Sequence, residues 1–173
     1  MHSDSRPRLS SRAEARCNLD IEMALRAHED DIPNPQRREL KFRRLEGMFA
    51  VVRLPADAPV PDWAETGPFI SITRNADELS IVCRQENVPL DVRGDHCCVC
   101  LKLEGPFAFS EVGVLVSFIG PLATGGVPVF AISTYDTDYV LISKEFAETA
   151  QAALSKAGHQ LISDDESCRK PIE

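Results

Sequence analysis

From Leu40 onward the apolar residues fall into short runs with strand or helix spacing, whereas the first 40 residues carry little such repeat. Met48 to Leu54 is an apolar run bounded by Gly47 and by Pro55, Pro59 and Pro61. It predicts a strand, then a loop with a helical turn around Asp62 to Glu65. Phe69 to Arg74 and Glu78 to Arg84 are β-rich stretches separated by Asn75-Ala76-Asp77, a hairpin signal. Ile70 and Ile72 share one face of the first; Leu79, Ile81 and Cys83 share one face of the second. Cys97 to Glu104 predicts another strand, with Val99, Leu101 and Leu103 on one side and Cys98, Cys100 and Lys102 on the other.

Helical spacing follows. Ser110 suits the N-cap of a helix starting at Glu111, with Val112, Leu115, Val116, Ile119 and Leu122 on its apolar face and Gly125-Gly126 at its end. Pro121 inside that helix has no N–H, so the Ser117 carbonyl loses its helical partner. Val127 to Thr134 and Asp138 to Ile142 predict a second hairpin. Ser143 then caps a helix in which Phe146, Ala150, Ala153, Leu154 and Ala157 keep helical spacing, Gly158 closes it, and His159 to Ile162 forms a last strand.

Residues 97–163 therefore read β-α-β-β-α-β, and 41–96 show a similar order with stunted helices. Phe69-Ile-Ser-Ile-Thr73 against Phe130-Ala-Ile-Ser-Thr134 suggests a duplication. The expected fold is α+β: two ferredoxin-like units side by side, the first with reduced helices, each an antiparallel sheet with helices on one face. Residues 1–40 form a polar extension, partly helical or disordered, in which Cys17, Ile21 and Leu25 permit one short helix. The first unit is 41–96, the second 97–163, and 164–173 a polar tail.

Charge narrows the partners. The chain has 173 residues and a net charge of -8, and the part beyond residue 44 holds 9 basic against 19 acidic side chains. A phosphate-binding surface needs the opposite balance, so nucleic acid is excluded as an expected partner. No apolar run approaches the roughly 20 residues that span a bilayer; the longest, Val112 to Leu122, is broken by Gly113, Ser117, Gly120 and Pro121. The Arg- and Ser-rich start is similar to an organelle transit peptide, but Asp4 and Glu14 count against one. Six cysteines are too sparse for a disulfide scaffold and no secretory apolar segment opens the chain, which favours a reducing, cytoplasmic setting.

His96-Cys97-Cys98-Val99-Cys100 offers C-x-x-C spacing for zinc or redox chemistry. Strand alternation sends Cys97 to one face and Cys98 and Cys100 to the other, and Cys83, His159 and Cys168 are isolated, so buried thiols are the better reading. A nucleophile elbow, a phosphate-binding glycine loop and a metalloprotease helix are all missing. No enzyme activity, cofactor or metal is expected.

Val129-Phe-Ala-Ile-Ser-Thr-Tyr-Asp-Thr-Asp-Tyr-Val-Leu-Ile142 resembles a stretch of small tandem ACT proteins. These are bacterial regulators that share their domain with CASTOR-type arginine sensors and the regulatory tail of aspartate kinases. Glu104-Gly-Pro-Phe-Ala-Phe109, Gly113-Val-Leu115, Pro121-Leu-Ala123 and Phe69-Ile-Ser-Ile-Thr-Arg74 support the resemblance, which spans 45–163. It implies a homodimer that binds a small amino acid between ACT units and signals to an unknown downstream protein. By the same resemblance, Glu111 and Asp138 match acids that hold a ligand's cationic groups, and Thr134 and Tyr135 match the strand end lining the cleft. Ala108, Phe109 and Val114 match the loop and helix start, and Ser117 a position supplied by the facing unit.

Local chemistry agrees with that transfer. Amides of Glu111, Val112 and Gly113 at a helix start suit a carboxylate, and Asp136 adds a third acid that favours arginine or lysine. The turn Tyr135-Asp136-Thr137-Asp138 lacks the Gly or Asn of a tight primed turn, a departure more expected at a functional site. The bland alternatives are first-turn and turn-forming acids, and aromatics that fill a core or an interface. The alternative function is a ligand-free ACT-type module for dimerisation or protein interaction.

Overall fold

The computed structural model describes residues 38–94 and 97–162. The predicted helix near Cys17 to Leu25, the ligand candidate His96, the isolated Cys168 and the tail from 164 lie outside the described residues. In chain order the strands are β1 (Lys41–Arg44), β2 (Phe49–Leu54), β3 (Ser71–Arg74), β4 (Leu79–Arg84) and β5 (Cys98–Leu103). Then come helix α1 (Val114–Thr124), β6 (Phe130–Ser133), β7 (Asp138–Ser143), helix α2 (Ala147–Lys156) and β8 (Gln160–Leu161). The fold is mixed α+β, with a largely antiparallel sheet and few helices, as the pattern predicts.

In the first half β2, β4 and β3 lie in that order, all antiparallel. The helices that would cross this sheet are shrunk to 3-10 turns at Asp62–Ala64 and Gln85–Asn87. The prolines at 55, 59 and 61 explain the first, since each removes an amide donor and holds its predecessor extended. Alternate residues Ala50, Val52, Leu79, Ile81 and Cys83 bury one face of the strands against Ala64 and Val88.

The second half orders its strands β6, β7, β5, β1, β8. Here the sequence grouping is corrected. Lys41–Arg44, which stands at the head of the first unit in sequence, pairs antiparallel with β5 and parallel with β8. The reason is apolar burial. Phe42 sits under α1 with its ring 5.2 Å from that of Phe118, edge to face, while Arg43 makes a two-pronged bond to Glu104 at 2.5 and 2.8 Å. Val99, Leu101, Leu103, Val140 and Ile142 join Phe42 beneath the helices, facing Val114, Phe118, Leu122, Ala150 and Leu154. Each such apolar side chain contributes about 1.5–3 kcal/mol by leaving water.

The opposite strand faces of the two halves meet. Cys98, Cys100 and Leu141 pack with Phe49, Val82 and Phe69, and only the pair Phe49–Cys98 joins β2 to β5. The ring of Phe69 stacks on Tyr139 across this seam, 4.0 Å between centroids. The duplication is topological, but the matching strings are out of step. The hairpins close at Arg74–Leu79 and at Ser133–Asp138, which sets Ser71, not Phe69, against Phe130.

Both helix starts differ from expectation. α1 begins at Val114, after a left-handed Gly113 (φ 81°), and not at Glu111; Ser110 does not cap it. The helix is consequently turned: Val112 and Val116 are 81% and 51% exposed, and Val114, Ser117, Phe118 and Leu122 are buried. Ser143 makes no cap either, since a 3-10 turn at Lys144–Phe146 precedes α2 and its hydroxyl donates to Glu145 Oε1 at 3.1 Å. Gly126 (φ 70°) and Gly158 (φ 89°) end the helices in the left-handed conformation that glycine tolerates. No helix among the described residues is long and apolar enough to cross a membrane.

Candidate functional site

The loop from β5 to α1 and the turn from β6 to β7 come together beside the start of α1. Phe107 N–H donates to the Asp136 carbonyl at 2.9 Å. A Cβ built on Gly105 would lie 2.5 Å from that same oxygen, so a residue without a side chain is required for the approach. The loop also locks itself: Glu111 N–H donates to the Ala108 carbonyl at 2.8 Å, and Ala108 N–H donates to Glu111 Oε2 at 3.2 Å. The turn is shaped by threonines. Both the amide and the hydroxyl of Thr134 donate to the Thr137 carbonyl, and the Thr137 hydroxyl donates to the Leu103 carbonyl at 2.7 Å. This four-residue loop needs no left-handed residue, and no non-glycine residue described has a positive φ. The missing Gly or Asn is therefore no strain and no sign of function.

Between loop, turn and helix lies an open cavity of about 290 Å³. It is lined by Ala108, Phe109, Glu111, Val114, Thr134, Tyr135, Asp136 and Asp138, all predicted from sequence. Phe107, Gly113, Leu115, Val116, Ser133 and Thr137 complete the lining. Ser117 is the exception. It is buried within α1, where its hydroxyl donates to the Gly113 carbonyl at 2.6 Å. Of the amides named from sequence, that of Glu111 is already bonded to the Ala108 carbonyl, and because α1 starts at Val114 its first-turn donors belong to Val114, Leu115 and Val116. They stand at the cavity and suit a carboxylate.

The three acids differ in their surroundings. Glu111 forms an ion pair with Arg38, whose guanidinium carbon lies 5.7 Å from the Phe107 ring centroid. Asp138 accepts the Ser133 hydroxyl at 2.5 Å. The Asp136 side chain is exposed and makes no hydrogen bond or ion pair with the described residues. Phe109 and Tyr135, fully exposed, flank the opening. Two other cavities fit a zwitterion less well. One, about 90 Å³ beneath α2, is small and largely apolar; the other, about 240 Å³ between β3 and β6, has hydroxyls but no charged group.

The cysteine cluster does not converge. Cys98 and Cys100 face the seam between the halves, while the Cys97 thiol donates to Gln85 Oε1 at 2.8 Å. Burial pushes the Cys98 thiol up, and pushes Cys100 up to about 12 with help from neighbouring Cys98. Among the described residues no three His, Cys, Asp or Glu side chains are placed to hold a metal ion.

Residues 93–156 match the ACT domain family model, and residues 47–91 match the model of a separate N-terminal domain family. Protein Atu0741 from Agrobacterium tumefaciens, solved by X-ray crystallography, shares 43% identity over 72% of this chain and 93% of its own, with a TM-score of 0.68. Residues 93–156 of this chain are an ACT domain. VC0802 from Vibrio cholerae, described as of unknown function and a possible transport protein, is 19% identical, with a TM-score of 0.58 over 69% of this ACT protein and 91% of that chain. Aspartokinase alpha and beta subunits are 15% identical over 69% of this chain and 98% of theirs, at a TM-score of 0.48. No curated protein matches.

Sequence reasoning missed Phe107 and Arg38 at this site. Phe107 lay in the Glu104 to Phe109 string that carried the resemblance. Arg38 gave no signal, because it precedes the first patterned strand.

Proposed function

We propose that this ACT protein is a non-catalytic, cytoplasmic regulatory module that binds a small amino acid where the second units of two subunits meet. Arginine or lysine is the favoured ligand, and the protein is a relative of the CASTOR-type sensors. The units divide as 41–96 and 97–163, with β1 lent to the second sheet. The observation that carries the reading is the cavity that gathers the predicted lining residues between loop, turn and helix start. First-turn amides of α1 suit the ligand carboxylate, and Asp138 and Asp136 suit its ammonium groups. The exposed rings of Phe109 and Tyr135 suit coverage by a second subunit, since aromatics are enriched at interfaces. Ser117 is left out of this site.

One observation favours the alternative of a ligand-free dimerisation or protein-interaction module: Glu111 is already paired within the chain. A thermal-shift screen of the standard amino acids on the full chain, with sedimentation for its assembly state, separates the two. The sensor reading expects a stabilised hit that Asp138→Asn abolishes while the fold is retained. A flat response from a folded dimer supports the interaction module, and a monomer with or without amino acid defeats both versions of the dimer.

A further inference from the structure

Arg38 lies just ahead of β1, and its guanidinium rests against two residues of the cleft loop. Nη2 pairs with Glu111 Oε1, and Cζ lies 5.7 Å from the Phe107 ring centroid. A carboxylate beside an aromatic face is the pair of partners that a guanidinium or ammonium group seeks. The second Glu111 oxygen is held by Ala108 N–H at 3.2 Å, so the loop itself fixes this carboxylate.

The contact is both held close and exchangeable. Leu40, two residues on, is buried and its amide donates to His159 Nδ1 at 3.1 Å, which keeps Arg38 near Glu111 at high local concentration. The Arg38 and Glu111 side chains are nevertheless 37% and 30% exposed, and an ion pair so open to water is weak enough to give way.

We propose that Arg38 is an internal competitor for the cationic half of the cleft. Its guanidinium occupies the Glu111–Phe107 seat when no ligand is bound, and a basic amino acid displaces it on entering. This rests on the amino-acid-binding reading above and deepens it, because it makes Arg38 a residue that sets selectivity. The cost of displacement falls on ligands whose side chain needs that seat. A neutral amino acid, held by the α1 amides and by Asp136 or Asp138, leaves Arg38 in place.

The test is titration calorimetry on the full chain, wild type and Arg38→Ala, with L-arginine, L-lysine and L-citrulline, the uncharged near-isostere of arginine. Circular dichroism and melting check that the variant is folded, and Arg38→Gln serves as a second variant that keeps the side-chain bulk. Both variants are expected to bind L-arginine and L-lysine about three- to thirty-fold more tightly, with L-citrulline changed by less than about twofold. Unchanged L-arginine affinity overturns the competitor and leaves the sensor reading standing. Weaker binding also overturns it, and puts Arg38 on the ligand itself. An equal gain for L-citrulline overturns it too, because relief without charge is not competition for a carboxylate. If only neutral amino acids bind, in every protein, the competitor falls alone. If none of the standard amino acids binds wild type or variants, both readings fall.

Discussion

His159 Nε2 stands 3.0 Å from the Ser117 carbonyl oxygen, to which Pro121, four residues on in the helix, cannot donate. Because Leu40 N–H points at Nδ1, that nitrogen accepts and Nε2–H donates, so the ring is a neutral link between the approach to β1 and the interior of α1. The side chain is 5% exposed, and Phe118 lies against it with ring centroids 5.4 Å apart. A proline within a helix and a distant histidine are thus one structural device.

His159→Ala removes both hydrogen bonds and leaves a void, at an expected cost of about 2–4 kcal/mol. Pro121→Ala returns an N–H to the Ser117 carbonyl. In that background the histidine substitution should cost about 1 kcal/mol less. Urea unfolding of the wild type, both single variants and the double variant measures the coupling. Purely additive losses would show that His159 does not serve this carbonyl.

The stack of Phe69 on Tyr139 ties the loop of the first half to β7 of the second, and Phe49 packs on the Phe69 ring with centroids 6.2 Å apart. Phe69→Ala should destabilise the protein by about 3–5 kcal/mol, as for other buried aromatics. Phe69→Leu, which keeps most of the apolar volume, should cost clearly less. Equal midpoints in urea for wild type and Phe69→Ala would mean that the seam contributes little to stability.

Alkaline pH should act through the seam as well. Burial raises the Cys100 thiol to about 12, and Cys83 and Cys98 also move upward for the same reason. Unfolded cysteine sheds its proton near pH 9, so the unfolded chain gains from the loss before the folded chain can. Stability from Cys100 is therefore intact below about pH 9 and is lost as pH rises toward 12, at up to about 1.4 kcal/mol per pH unit. Cys100→Val should flatten this decline in urea unfolding series taken from about pH 8 to about pH 10.5. Parallel declines in the two proteins would place the alkaline sensitivity elsewhere.

Strand positions were legible because period-two burial is written directly into residues such as Val99, Leu101 and Leu103 against Cys98, Cys100 and Lys102. The start of α1 was not. Ser110 and Glu111 look like a cap and a first-turn acid, but the turn closed by Ala108 and Glu111 uses them first, and a left-handed Gly113 resets the helix three residues later. That shift turned Val112 and Val116 outward and hid Ser117. β1 was not predicted as a strand, and its residues were grouped with the first unit, because its partners depend on long-range burial of Phe42, which no local pattern encodes. The residues that line the cavity were grouped despite this because the resemblance carried loop and turn together, whereas Arg38 lay beyond its reach.

Gly105 offers a test of the cleft that does not need a ligand in hand. Its neighbours across the approach are the Asp136 carbonyl, 2.5 Å from an added Cβ, and the Thr137 side chain at 3.3 Å. The first of these is backbone, which cannot swing aside as a side chain would. Gly105→Ala must therefore push the β5–α1 loop away from the β6–β7 turn and stretch the 2.9 Å bond from Phe107 N–H to Asp136. Overpacking of this kind costs about 1–3 kcal/mol. Hydrogen exchange should show faster opening at Phe107 and Thr134 than in wild type, with the amides of β2 and β4 unaffected. The same variant should bind any amino-acid hit more weakly, because the acids on the turn and the amides at α1 would no longer face each other at the original spacing. Unchanged protection at Phe107 would mean that the loop and turn are not held by this contact.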